Sequence, residues 1–326
     1  MKVFVTGGTG LVGSYVIRTF LANQYEVIAL TRSPKTSIFL QDIEKQVTWI
    51  QGDILDITIL ESAIQEVDYV IHAAAVVSFL PKDTKLMYEV NVQGTANVVN
   101  VCLKYQKRLC FVSSIAALGR TENTEIIDET QKWENSDLNS YYAQTKYLAE
   151  LEVWRGEAEG LNMVIINPSL ILGIADWNRS STQLIKYAYE QHWFYPPGSI
   201  NYVDVRDVAQ ITYLLTISHI RSERFIVNAG KTTYKILFQE IAQRLGRKPP
   251  RYTLSPFWIN IAWRVLALVS FFTRKPPLLT RETAISAQKN YFYQNEKIKK
   301  ALNYQFKTLT ETLDWVCSEI EQKNLP

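Results

Sequence analysis

The feature that most narrows the fold is a three-glycine turn set directly after an apolar run. Val3-Phe4-Val5 leads into Thr6-Gly7-Gly8-Thr9-Gly10-Leu11-Val12-Gly13, and from Leu11 to Asn23 the pattern is helical. A strand that gives way to a helix through glycines leaves backbone amides open at the helix N-terminus. There a partial positive charge of roughly half a unit accumulates. Such a turn can seat a dinucleotide pyrophosphate, with Gly7, Gly10, Leu11, Val12 and Gly13 as its expected contacts.

The same alternation continues through the first half of the chain. Strands are expected at Lys2–Thr6, Glu26–Thr31, Val47–Gln51, Tyr69–His72, Leu109–Ser113 and Asn162–Asn167, with helices at Ile57–Ile64, Asp83–Tyr105 and Ser140–Glu159 between them. This argues for a parallel sheet covered by helices on both faces, with ligands at the edge where the strands end. After Asn167 the regularity weakens. A loop and helix over Ala175–His192, strands at Asn201–Val205 and Arg224–Asn228, a helix over Asp207–Ile217 and a mostly helical remainder from Tyr234 are expected. Residues 1–167 with about 201–230 read as a dinucleotide-binding domain, and about 168–200 with 231–326 as a smaller, mostly helical substrate lobe.

The end of the second strand bears on the choice of dinucleotide. NAD sites carry a carboxylate about 20 residues past the glycines for the ribose 2′-hydroxyl. Here the segment is Leu30-Thr31-Arg32-Ser33-Pro34-Lys35, without an acid. Arg32 suits a 2′-phosphate, with Lys35 as a second charge, so NADPH is expected over NADH. Asp53 is placed to accept from the adenine amino group and Ile54 to pack on the ring. Ala73 and Ala74 give the cofactor room, and His72 reads as a packed core histidine.

Tyr142 and Lys146 stand at i and i+4 and share a helix face. A phenol titrates near 10, and a nearby ammonium favours its ionised form. Tyr142 is thereby expected to give a proton to a carbonyl oxygen as hydride reaches the carbon. Lys146 would also hold the nicotinamide ribose. Ser114, at the end of the fifth strand, would steady the substrate oxygen as charge develops. Tyr141 is adjacent but has Thr145 four residues on, not a lysine.

Bulk properties exclude other classes. The chain has 326 residues, 47% hydrophobic and 21% charged, which is ordinary globular composition. A net charge of +3 without basic runs gives no footprint for nucleic acid. Cys102, Cys110 and Cys317, like His72, His192 and His219, lack metal-ligand spacing, so no metal is expected. The first strand begins at Lys2 and leaves no room for a signal peptide, so a cytoplasmic location is expected.

One stretch departs from the rest. Between Arg244 and Arg281 there are eight Lys/Arg and no Asp or Glu, which leaves 27 basic against 32 acidic residues elsewhere. It contains the apolar run 256–272, which is short for a bilayer span and has Arg264 at its centre, at a cost of roughly 3 kcal/mol. Two readings stay open: a helix lining the cleft, or an interfacial helix drawn to anionic lipid on the inner face of a membrane.

Taken together, the chain resembles the extended short-chain dehydrogenase/reductase family. The matching segments are Thr6–Gly13, Gly52–Ile54, His72–Ala75, Asn91–Thr95, Ser113–Ser114, Tyr142–Lys146, Asn167–Gly173 and Tyr202–Ala209. Pro276–Leu279 and Lys297–Tyr304 resemble the branch of dihydroflavonol reductases and 3β-hydroxysteroid dehydrogenases. The resemblance implies a doubly wound Rossmann-type α/β fold. It makes Ser114, Tyr142 and Lys146 the catalytic trio and adds Pro168 and Ser169 to the cofactor contacts. It gives Asn91 a supporting place near the lysine, and it implies pairing of two copies through the long helices. Leu170, Ile171 and Leu172 stand where sugar-nucleotide enzymes carry polar residues. The expectation is therefore NADPH-dependent reduction of an apolar aldehyde or ketone, the alternative being a sugar-nucleotide epimerase or dehydratase holding NAD.

Overall fold

The computed structural model describes residues 1–33, 38–121, 125–175, 182–273 and 279–323, the side chains of 38 and 268–273 excepted. Lys35 and 276–278 therefore lie outside the described residues.

Seven strands form one parallel sheet: β1 (Lys2–Thr6), β2 (Glu26–Thr31), β3 (Val47–Gln51), β4 (Tyr69–His72), β5 (Arg108–Val112), β6 (Met163–Pro168) and β7 (Glu223–Val227), in the order β7-β6-β5-β4-β1-β2-β3. Sheets of this kind are covered on both faces, which demands near-continuous apolar strands. β5 and β6 are buried at every position. Residues of β1 alternate between two cores. Val3 and Val5 join Val16, Ile17 and Phe20 of α1 (Leu11–Ala22) on one face. Phe4 joins the other face, with Leu60 of α2 (Ile57–Ile64), Val98 of α3 (Gly94–Lys104) and Val153 of α4 (Tyr141–Ala158). Helix α5 (Val205–Ile217) packs beside α1. Strand order reverses between β1 and β4, and that crevice is where this topology receives ligands.

Two local expectations differ from the structure. The single helix expected over Asp83–Tyr105 is a short helix, Thr84–Tyr88, then a wide π-turn over Glu89–Gln93, and only then α3. The widened turn carries Asn91, and such inserts gather near functional sites. Outside the central sheet, where helices prevail as expected, Ser199–Asp204 (expected at Asn201–Val205) pairs with two strands that were not expected, Leu170–Leu172 and Gly230–Thr233, in a three-stranded sheet. The core around it includes Leu172, Ile185, Tyr202, Leu237 and Val316.

Candidate active site

The glycine turn has the geometry its sequence implies. Gly7 takes φ +70°, and a Cβ there would stand 2.7 Å from the backbone of Ala73 and Ala74. A Cβ on Gly13 would lie 2.2 Å from the Gly7 carbonyl oxygen. Only bare backbone fits at either position, and β1, α1 and the end of β4 close on one another there. Gly10 caps α1 with no side-chain hydrogen bond, and the first turn carries no acid. The amides of Leu11, Val12 and Gly13 are thus the open donors of a helix N-terminus, as an anion site requires.

The other expected cofactor residues line the same edge. Arg32 is exposed just beyond β2, in no ion pair among the described residues. Asp53 accepts the Leu55 amide at 3.0 Å. Ile54 is 6% exposed and turned inward against Gly94 rather than outward. Pro168 closes the buried strand β6 and Ser169 follows it, with the Ser169 hydroxyl buried without a hydrogen-bond partner. An orphaned hydroxyl at a ligand edge fits a polar group that arrives with the cofactor.

His72 ends β4 and is fully buried. Its Nδ1 meets Thr6 Oγ1 at 2.6 Å and its Nε2 meets Thr95 Oγ1 at 2.9 Å, while its ring stacks on Phe111. Burial, aided by the charge of Lys146, pushes its pKa down to about 3. It is a satisfied core histidine. Thr95 in turn donates to the Asn91 carbonyl at 2.6 Å. The Asn91 side chain accepts from the Val76 amide at 2.7 Å and donates to the Val76 carbonyl and to Thr145 Oγ1. It therefore ties the segment after β4 to α4, and the carbonyl that receives Lys146 belongs to Val112 instead.

Ser140 caps α4 by accepting the Ala143 amide. The first turn of that helix then presents Tyr142, half-buried, beside the Ser114 hydroxyl at the end of β5. Burial pushes the phenol up to about 12, and the Ser114 hydroxyl offsets part of the shift. Lys146 is 2% exposed, donates to the Val112 carbonyl at 3.0 Å and lies 4.4 Å from the centre of the Phe111 ring. Burial pushes its pKa down to about 8, against the charge of Glu150. Burial thus opposes ionisation of the phenol, while the charge of Lys146, kept up to about pH 8, stands one turn away on the same helix face.

Sequence reasoning missed what stands behind the lysine. Glu150 continues the face of Tyr142 and Lys146 by one more turn and is 2% exposed. It accepts from Asn167 Nδ2 at 2.5 Å and pairs with Arg224 at 3.4 Å, while Asn167 also donates to the Ser114 carbonyl. The i+8 spacing from Tyr142 was visible in the sequence, but the partners on β6 and β7 were not. Glu282, whose carboxylate accepts the Tyr141 amide at 3.2 Å, is 141 residues away in sequence and left no signal. Phe79 stands edge-on to the Tyr142 ring, and Val77, two residues earlier in the chain, is half-exposed. Among the described residues no cluster could hold a metal.

Residues 3–230 match the NAD dependent epimerase/dehydratase family. Cinnamoyl-CoA reductase 1 of Petunia hybrida is 31% identical over 241 residues, 69% of this chain and 71% of that protein. Anthocyanidin reductase of Arabidopsis thaliana is 28% identical over 299 residues, 82% and 87% of the two chains. In fold, a UDP-glucose 4-epimerase of Thermotoga maritima superposes with a TM-score of 0.80 at 21% identity over 100% of both chains. The match over most of the chain, on a fold with this cradle, makes the protein a member of the NAD dependent epimerase/dehydratase family, an NAD(P)-dependent oxidoreductase of the extended short-chain dehydrogenase/reductase type.

Proposed function

We propose that the protein reduces the carbonyl of an apolar aldehyde or ketone with NADPH, using Tyr142 as proton donor, Ser114 to hold the substrate oxygen, and Lys146 as the supporting cation. The observation that carries this reading is the Tyr142 phenol set beside the Ser114 hydroxyl and one helical turn ahead of Lys146, on the sheet edge that also bears the glycine cradle. Reduced nicotinamide, when bound, supplies the hydride. The chain's own part is to accept the oxygen at Ser114, deliver the phenolic proton to it, and stabilise the resulting phenolate with Lys146. A phenol kept protonated suits reduction, in which it must give a proton rather than take one. The amides of Leu11, Val12 and Gly13 would hold the pyrophosphate, with Asp53 and Ser169 at the adenine and nicotinamide ends. Phe79, edge-on to Tyr142, and Val77 favour an apolar partner over a sugar nucleotide. Pairing of two copies through α3 and α4 belongs to the same reading.

The test is a fluorescence titration with NADPH and NADH, followed by a panel of carbonyl compounds. Tighter NADPH binding with turnover on apolar carbonyls is expected. Dinucleotide retained through purification, with no turnover on any carbonyl, would instead favour the epimerase or dehydratase reading. Arg32→Ala should weaken NADPH by about 10- to 100-fold, the worth of a charged hydrogen-bonded contact, and leave NADH nearly unchanged. Equal losses for both would remove Arg32 from the 2′-phosphate.

The lysine also sets a pH dependence. Lys146 is cationic below about 8 and neutral above it. Support for the phenolate is therefore present at lower pH and is lost as pH rises through that value, so the reduction rate should decline there. Glu150 raises the lysine's pKa, and Glu150→Gln should move the decline to lower pH. An unmoved profile would show that the carboxylate does not act through Lys146.

A further inference from the structure

The stretch without acids folds into an exposed surface of the smaller lobe. Helix Pro256–Thr273 is held to the body through Ile259, the one fully buried side chain among its described residues. Phe257, Trp258, Ile261 and Val265 are instead 66, 59, 37 and 53% exposed. These four are open to solvent.

They are joined by a second apolar group. The strand Phe194–Tyr195 pairs with Tyr252–Thr253, and both the Arg251 and Tyr252 amides bond the Trp193 carbonyl at 3.0 Å. Trp193 is 71% exposed, and the rings of Phe194 and Tyr252 lie 6.0 Å apart. The chain runs only three residues from Thr253 to the helix start. Two tryptophans, two phenylalanines and a tyrosine are thus left in water on adjoining segments, which a soluble surface seldom tolerates. Lys248, Arg251 and Arg264 are exposed around them and form no ion pair among the described residues. Glu190, the nearest acid to Trp193 along the chain, faces His192 and Lys186, and Glu240, the nearest to Lys248, pairs with Arg244.

We infer that this face docks the protein on the surface of an anionic lipid bilayer, with Trp193, Phe194, Tyr252, Phe257 and Trp258 entering the headgroup boundary and Lys248, Arg251 and Arg264 meeting lipid phosphates and carboxylates. The charge is complementary to lipid, and aromatic side chains with exposed cations are what an interfacial helix presents. The helix lies in the interface and does not cross it. Arg264 interrupts its apolar run, and no helix among the described residues is long and apolar enough to span a membrane. The docking does not depend on which carbonyl is reduced, so it stands or falls separately from the proposed reaction.

The test is sedimentation of the full chain with vesicles. The protein should pellet with vesicles of about 70:30 phosphatidylcholine to phosphatidylserine and release as salt rises toward about 0.5 M, where charge attraction is screened. Recovery with phosphatidylcholine alone should be at least several-fold lower. The combined variant Trp193→Ser, Phe257→Ser, Trp258→Ser should lose more than about tenfold in partitioning, at nearly the transfer energy of the lost rings. Its NADPH binding should match the parent chain, which establishes that it is folded. Equal recovery from both vesicle types, or unchanged recovery of that variant, would overturn the proposal. So would pelleting without vesicles, or a dimer in light scattering that the variant dissolves, since the patch would then cover a second copy of the chain.

Discussion

Tyr142→Phe should lower carbonyl turnover by about 10²- to 10⁴-fold, the usual worth of a positioned proton donor. NADPH affinity should stay within about twofold. The substitution removes one oxygen and keeps the ring, so the edge contact with Phe79 and the packing of α4 persist. The proton has no other source at that point. Ser114 can hold the substrate oxygen, but an aliphatic hydroxyl is too weak an acid to protonate it without a relay. The loss should therefore fall on kcat, because the phenolic proton moves only as the transition state forms. Stopped-flow mixing with NADPH and a carbonyl substrate separates the two quantities. Turnover unchanged within a factor of three would remove Tyr142 from the chemistry, and a parallel loss of NADPH binding would place it in the cofactor seat instead.

Gly13→Val should abolish measurable dinucleotide binding, and turnover with it. The first added atom would sit 2.2 Å from the Gly7 carbonyl oxygen, 2.7 Å from its carbon and 2.9 Å from the Gly8 Cα. All three are main chain, so no side chain can swing aside. Gly7 has little room to give way, since even one added atom on it would lie 2.7 Å from the backbone of Ala73 and Ala74. The turn must open, and the amides at the start of α1 then lose their common aim. An affinity loss above about 100-fold and a melting point lower by several degrees are expected, because one cavity-free backbone contact of this kind costs about 1–3 kcal/mol. Fluorescence titration and a thermal melt check the two parts. Retained NADPH binding would mean that the pyrophosphate lies elsewhere.

The central sheet was legible because its signals are local. β1 to β4 begin and end where short β-branched runs meet polar residues, and the expected and observed bounds coincide. The second, three-stranded sheet was legible only in part. Its middle strand Ser199–Asp204 was expected, at Asn201–Val205, but it pairs with segments about thirty residues away on either side, and Gly230–Thr233 has no apolar alternation to announce it. The π-turn at Glu89–Gln93 was hidden for another reason. It changes hydrogen-bond spacing by one residue while leaving the helical pattern of apolar side chains nearly intact. In the site, residue types and i, i+4 spacing singled out Ser114, Tyr142 and Lys146 as candidates, but not the burial around them. A sequence states burial only indirectly, and it pushes the phenol up and the amine down. The Glu150–Asn167–Arg224 group was illegible because its members come from a helix and two separate strands.

The imidazole beneath the reaction edge has a practical bearing on kinetics. With both nitrogens occupied by threonine hydroxyls and no charge above about pH 3, it stays electrically silent throughout the range in which enzymes are assayed. Neutral-range ionisation in most active sites is blamed on histidine first. Here that habit would mislead, and a kinetic inflection near pH 8 points to an amine.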